Sequence, residues 1–251
     1  MNAIRNMTTL LIDGDVFAYK AAMSCQKAHR WDDDIISTHV DLNEAKDTLD
    51  GLLWKLKNDL GADDIIVALT DRGSEFRRVL WPSYKGNRTG PKPLALSALN
   101  DHYVGAYRTY IRPTLEADDI LGILATHKSL VKGRKIIVTT DKDLSQIPGL
   151  HFNPDKDEDV RTINEEDGNF MFLMQTLTGD TTDNYPGCPG CGPVKATKAL
   201  DDDPSWETVV KQYIKAGLTE EDALVQARLA KILHSSDYDF KKKEVILWSP
   251  K

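Results

Sequence analysis

KIIVTTDKD, residues 135–143, is a near-continuous run of apolar and β-branched residues that ends in a pair of aspartates. A strand covered by helices on both faces of a parallel sheet reads this way. Working outward, TTLLID (8–13) and DIIVALTD (64–71) have the same form. Between these runs the apolar spacing predicts helices at about 43–60, 94–106 and 115–130. The first of them, LNEAKDTLDGLLWKLKNDLG, stops at Gly61. The order β-α-β-α-β predicts right-handed crossovers and an α/β core built on a mainly parallel central sheet.

Residues 72–93, RGSEFRRVLWPSYKGNRTGPKP, break that rhythm and read as a loop or excursion. After about residue 165 the pattern turns helical, at 165–177, 193–201, 204–216 and 219–234, and EVILW (244–248) reads as a closing strand. There are no internal repeats or low-complexity tracts. The chain of 251 residues, 41% hydrophobic, suits one large soluble domain or a domain with a small appendage. No run approaches the roughly 18 apolar residues of a membrane span. The N-terminus ends its short apolar stretch in acids, unlike a secretory signal. With three cysteines, an odd number, a disulfide framework is not expected, and the protein reads as cytoplasmic. Cys188 and Cys191 form a C-x-x-C with no second ligand pair nearby, which favours packing over a zinc or redox site.

The net charge of −7 argues against a polyanionic partner, but its distribution does not. From Arg72 to Arg112 eight basic residues face only Glu75 and Asp101, a net +6. A basic strip in an acidic chain can hold phosphates and metals together.

The acids fall at the strand ends: Asp13 and Asp15, then Asp71, then Asp141 and Asp143. Ligands of open α/β sheets bind beyond the carboxyl ends of the strands, so these acids converge on one crevice. PTLEADDILG (113–122) adds Glu116, Asp118 and Asp119 at a helix start, and GDTTDNYPG adds Asp180 and Asp183. Acids in a first turn suit the helix macrodipole, which accounts for one or two of the three. An oxygen-only set suits Mg²⁺ or Mn²⁺, and so many carboxylates suit two ions about 3.5–4 Å apart. Asp13 and Asp71 also have a bland reading as turn formers, as does Asp15. In an ideal helix Glu116 and Asp119 share a face and Asp118 points elsewhere, so one of the three is an outer contact or a cap, Asp119 before the others. The acids of 154–160 and 201–204 are assigned to solvent.

GDTTDNYPGCPGCGPVKATKAL (179–200) reads as a glycine-paced turn opening a helix at Pro193. Its amides can approach an anion, and Lys195 and Lys198 share one face for phosphate contact.

With these motifs in order, the chain resembles the flap endonuclease / 5′→3′ exonuclease family, especially its bacteriophage members and the nuclease domains of bacterial DNA polymerase I. The resemblance covers nearly the whole chain. It rests on LIDGDVFAYKAA, on TDRGSEFRRVLWPSYKGNR, on EADD and TTDKDLSQI, and on GDTTDNYPGCPGCGP. It implies a PIN-like 5′-nuclease core over 1–164 with a helical arch at 72–112. It also implies a helical DNA-binding region over 165–251, holding a helix–three-turn–helix at about 179–200 and a C-terminal strand returning to the core. Asp13, Asp71, Glu116, Asp118, Asp119, Asp141, Asp143, Asp180 and Asp183 then become metal ligands, and Lys85 and Arg88 approach the scissile phosphate. Lys20, Tyr84, Gly187, Gly190, Gly192, Lys195 and Lys198 become DNA contacts, with K⁺ on the carbonyls of the turn. Lys20 stands where the family usually has Arg, and Cys188 and Cys191 where it usually has Val and Ile. Asp15 has no family counterpart, and the arch is short. The reading is a two-metal-ion 5′ nuclease, monomeric, acting on duplex or flapped DNA or an RNA–DNA hybrid, in phage replication or primer or host DNA removal. A metal-dependent RNase and a non-catalytic DNA-binding module are the alternatives.

Overall fold

The computed structural model describes residues 7–32, 35–73 and 76–250. Glu75, counted in the basic strip, and residues 1–6 lie outside them. The three apolar runs form the centre of the fold. β1 (Thr8–Asp13) pairs in parallel with β4 (Asp64–Ala68) on one side and β6 (Arg134–Val138) on the other. β5 (Arg108–Tyr110) extends the sheet beyond β4, and β7 (Gly149–Phe152) extends it beyond β6. β8 (Arg161–Ile163) closes that edge antiparallel, giving the order β5-β4-β1-β6-β7-β8.

Alternate residues of each central strand enter different cores. Leu10, Ile12, Val67, Ile136 and Val138 pack beneath α1 (Gly14–Cys25), α2 (Leu42–Asp59) and α4 (Leu96–Ala106). Leu11, Ile66, Ala68 and Ile137 pack beneath α5 (Ala117–Thr126). Burial on both faces is why these strands lack polar alternation. A third cluster lies among α6 (Glu165–Thr178), α7 (Pro193–Asp202), α8 (Trp206–Lys215) and α9 (Glu220–Ala230). Cys188 and Cys191 are buried in it, and burial pushes the Cys188 thiol up to about 11, so both serve packing.

The structure departs from the sequence reading in three ways. β4 ends at Ala68 and β6 at Val138, so Asp71 and Asp141 stand in the loops beyond the strands and Asp143 opens a 3-10 turn (Asp143–Gln146). The segment read as a loop holds a short helix, α3 (Phe76–Leu80). The C-terminal strand does not join the central sheet. β10 (Glu244–Val245) folds back on β9 (Tyr238–Asp239), through a turn in which Lys243 takes φ 60°. Tyr238 and Val245 pack against the α5 side of the core, so the segment returns by its side chains rather than by its backbone. Among the described residues no helix is long and apolar enough to cross a membrane.

Candidate active site

Asp13 ends β1 and caps α1, its Oδ1 accepting the Val16 N–H at 3.2 Å. Thr139, just beyond β6, donates its hydroxyl to Asp13 Oδ2 at 2.7 Å and accepts the Asp141 N–H at 3.0 Å. One threonine thus pins the acids of two neighbouring strands together. Asp141 in turn accepts the Asp143 N–H at 2.8 Å. Burial, then the fields of Asp15 and Asp141, push the Asp13 carboxyl up to about 7. Burial, then Asp141 and Asp180, push Asp143 up to about 6 despite Lys142 at 2.7 Å. Asp15 is also raised, chiefly by burial, while its Oδ2 accepts the Thr70 N–H at 3.2 Å.

The three acids at the start of α5 separate into distinct roles. Asp118 is raised well above the usual carboxylate range by burial and then by Asp13, Asp141 and Glu116, so it belongs with the strand-end acids. Asp119 is fully buried on the opposite side and forms a two-pronged ion pair with Arg77, at 2.7 and 2.8 Å. It also accepts the backbone N–H groups of Glu116 and Leu233, both at 3.2 Å. The assignment of Asp119 as a metal ligand is therefore corrected, because four N–H donors already saturate its oxygens. Helical spacing had grouped it with Glu116. Both do share Arg77, while Asp118, on another face of α5, lies in the fields of Asp13 and Asp141.

Arg77 is the residue that sequence reasoning missed. It lies on α3, 3% exposed, and all five of its N–H groups are engaged. Besides the two bonds to Asp119, they reach Glu116 Oε2 at 3.0 Å, the Leu229 carbonyl at 2.9 Å and the Lys231 carbonyl at 2.7 Å. The guanidinium ties the end of α9 to the acid-bearing end of α5. Burial opposes ionisation of Glu116, but Arg77 and then Lys85 outweigh it and hold this carboxyl below its ordinary range.

The YKGNR segment is docked on the loop that follows α6. The Lys85 N–H donates to the Asp183 carbonyl at 2.8 Å, and the side chain of Asn87 to the Thr181 carbonyl at 2.8 Å. Asn184 returns a side-chain bond to the Ser83 carbonyl at 2.7 Å. Lys85 pairs with Glu116 and approaches Asp183 at 3.7 Å, while Arg88 pairs with Asp183. The hydroxyl of Tyr84, a residue expected among the DNA contacts but buried here, bridges Glu116 and Asp183 at 2.9 and 2.8 Å, its one proton shared between them. Glu116, Asp119, Asp183 and Asp143 thus carry cationic partners, Asp143 through its exposed neighbour Lys142, whereas Asp13 and Asp118 lie mainly in the fields of other acids.

That contrast is the test of fit for metal. The raised carboxyls of Asp13, Asp118 and Asp143 crowd one another with Lys142 as a cation on Asp143, and an oxygen-only donor group suits a hard divalent ion. Among the described residues no three of these side chains close into a ready-made cage, so they stand as an open group beyond the strand ends. Mg²⁺ usually keeps several waters, which such a group can accommodate. Asp71 sits at the crevice edge, its Oδ2 accepting the Thr114 N–H at 3.1 Å. Lys20 lies apart from the acids, in an exposed pair with Asp155 at 2.5 Å.

The turn between α6 and α7 is built as the glycine spacing predicts. Asp180 and Tyr185 exchange backbone hydrogen bonds of 2.9 and 3.1 Å, which closes the loop carrying Asp183. Gly187 has φ +64°, and a Cβ there would lie 2.3 Å from the Gly179 nitrogen, so only glycine fits. Pro193 opens α7, with Gly192 as its N-cap.

The fold itself has known counterparts. A flap endonuclease from bacteriophage T5, solved with DNA and metal ions, aligns over 90% of this chain and 89% of its own, with a TM-score of 0.67 at 15% identity. The catalytic core of Rad2 in complex with DNA aligns over 85% of this chain and 66% of its own, at a TM-score of 0.53. The architecture is that of the T5 flap endonuclease fold. A sequence model of the 5′-3′ exonuclease N-terminal resolvase-like domain matches residues 8–167, and the chain belongs to this family. An exonuclease of Escherichia phage T7 is 28% identical over 96% of this chain and 93% of its own length. The flap endonuclease Xni of Shewanella baltica is 31% identical over 64% of this chain and 67% of its own.

Proposed function

We propose that this chain is a divalent-metal-dependent 5′ nuclease that hydrolyses phosphodiester bonds of DNA duplexes or flaps. The observation that carries the reading is the gathering of Asp13, Asp118, Asp141 and Asp143 beyond β1 and β6, with Lys85 and Arg88 across the same crevice. Family membership and the likeness to the T7 exonuclease and to Xni support the same activity.

Asp13, Asp71, Glu116 and Asp118 would hold one ion, and Asp141, Asp143, Asp180 and Asp183 the other. Bound Mg²⁺ or Mn²⁺ would polarise the phosphate and generate a nucleophile from water. Lys85 and Arg88, now neutralising Glu116 and Asp183, are placed to receive the scissile phosphate and to offset charge in the transition state. Tyr84 fixes both acids and lies beneath Lys85, whose Nζ is 5.1 Å from the ring centre. The 1–164 unit carries most of this chemistry, completed by Asp180 and Asp183 of the 165–251 unit. The 165–251 unit grips duplex phosphates through the turn at Gly187, Gly190 and Gly192, through Lys195 and Lys198, and through K⁺ on the turn's carbonyls. The substrates in this reading are 5′-ended DNA and RNA–DNA hybrid, and the protein acts as a monomer.

The test is digestion of a 5′-labelled flap substrate and a matched blunt duplex, with Mg²⁺ or EDTA, by wild type and Asp143→Ala. Mg²⁺-dependent release of short 5′ products by wild type alone is expected. Tight binding without cleavage by wild type would reduce the chain to a binding module, and cleavage of RNA alone would make it an RNase.

A further inference from the structure

A second charged surface lies at the far end of α5 from the acids. α5 has ten residues, so it separates the two by about 15 Å at 1.5 Å per residue. Its last turn leads into the loop HKSLVKGR (127–134), which precedes β6 at the amino-terminal end of the sheet. The β9–β10 hairpin packs against this loop, with Tyr238 and Val245 sharing a core cluster with Leu130 and Val131. Its tip is the run FKKK (240–243). Exposed Phe240 meets His127 edge to face, with ring centres 5.1 Å apart, and meets Tyr238 at 5.3 Å.

Lys128, Lys132, Arg134, Lys241, Lys242 and Lys243 are all exposed around this aromatic group. None of the six forms an ion pair among the described residues. The nearby acids are largely committed to backbone. Asp239 accepts the N–H groups of Lys241 and Lys242 at 2.8 and 3.0 Å, and Asp237 accepts that of His234 at 2.9 Å. His127 is fixed too, its Nδ1 accepting the N–H groups of Ser129 and Leu130 at 3.1 Å. Lys135, by contrast, is used structurally, capping α5 through the carbonyls of Leu124, Ala125 and His127.

These six cations outnumber the acids of the same loop and hairpin, Asp237, Asp239 and Glu244, by a net +3, in a chain whose net charge is −7. Uncompensated like charges repel, and a polyanion relieves that repulsion by releasing counterions. An exposed aromatic ring set among lysines adds a face on which an unpaired base stacks. We infer that the α5–β6 loop and the β9–β10 hairpin form a second nucleic-acid surface, which binds single-stranded DNA on the side of the sheet away from the crevice. This goes beyond the duplex grip of α7 and rests on the nucleic-acid role proposed above.

The test measures binding of a short single-stranded oligonucleotide and of a blunt duplex by fluorescence anisotropy in EDTA, across a salt series. Cleavage of the blunt duplex is followed separately in Mg²⁺. Lys241→Glu/Lys243→Glu should lower single-strand affinity about tenfold or more and flatten the salt slope by roughly 1.4, about 0.7 per lost phosphate contact. Lys128→Glu, on the opposite element, should act in the same direction, so a misfolded hairpin is not the explanation. Phe240→Ala should weaken single-strand binding by about tenfold, the scale of one lost base stack. Blunt-duplex cleavage should be unchanged in all three variants. Wild-type affinity and salt slope in the charge-reversed variants would overturn the inference. Failure of wild type to cleave would instead count against the nuclease reading.

Discussion

Replacing Arg77 with alanine removes five N–H donors from five acceptors in a site closed to water. Asp119 (0% exposed) and Glu116 (4% exposed) would then stay buried without their guanidinium. An exposed pair of this kind is worth about 0–1 kcal/mol, but stranding a buried partner costs about 3–5 kcal/mol. In a chain of 251 residues this corresponds to a fall in Tm of roughly 6–20 °C. The sign with pH follows from Glu116, whose folded carboxyl is held below its ordinary value of 4.5. Its contribution is present above that value and is lost as pH falls through the lowered one. The gap between wild type and Arg77→Ala is therefore widest near pH 7–8 and narrows as pH falls towards and below the ordinary Glu116 value of 4.5. Thermal melts across that pH range measure it. A double-mutant cycle of Arg77→Met with Asp119→Leu adds a second reading, because two apolar groups restore a neutral core and should recover much of the loss. A Tm loss that does not change with pH, together with additive effects in the cycle, would refute the buried-network account.

Three other outcomes follow from the geometry. In EDTA, Asp13→Asn should gain Tm on wild type as pH rises from 5 to 8. The Asp13 carboxyl is raised to about 7, so its folded form is favoured while protonated and loses that advantage as pH climbs through this value. A constant difference across that range would contradict it. Gly187→Ala should abolish duplex binding in an anisotropy assay, since its Cβ would meet backbone at 2.3 Å and 2.6 Å at a positive φ; retained binding would show that the turn does not form the grip. Lys195→Ala should weaken binding equally for unrelated duplex sequences and reduce the salt slope by about 0.9, and an unchanged slope would remove it from the phosphate contacts.

The sheet and its acids were legible because strands buried on both faces carry a dense apolar signal, and because Asp13, Asp141 and Asp143 follow those strands directly. Shorter elements gave weaker signals: β5 and β8 have three residues each and draw their stability from sheet neighbours rather than from their own pattern. Arg77 could not be assigned from sequence. It read as one more cation in a basic strip, whereas its partners lie 39, 42 and 152–154 residues away. Long-range burial turned it from a phosphate ligand into an internal tie. For the same reason much of that strip is less free than its charge count implied, since Lys85 and Arg88 also rest on acids. The division of labour in EADD depended on Arg77, which occupies the face that Glu116 and Asp119 share. Thr139 was visible only as a β-branched strand residue, although it holds the acids of β1 and β6 together.

In the proposed mechanism the strand-end acids and the 180–183 loop form one site for two divalent ions. The most direct test is titration of Mn²⁺ into the EDTA-stripped protein, counting bound ions by electron paramagnetic resonance, for wild type, Asp13→Asn and the double variant Asp143→Asn/Asp180→Asn. The account predicts two ions in wild type and one in each variant. A single ion in wild type, or two ions retained in both variants, would contradict it.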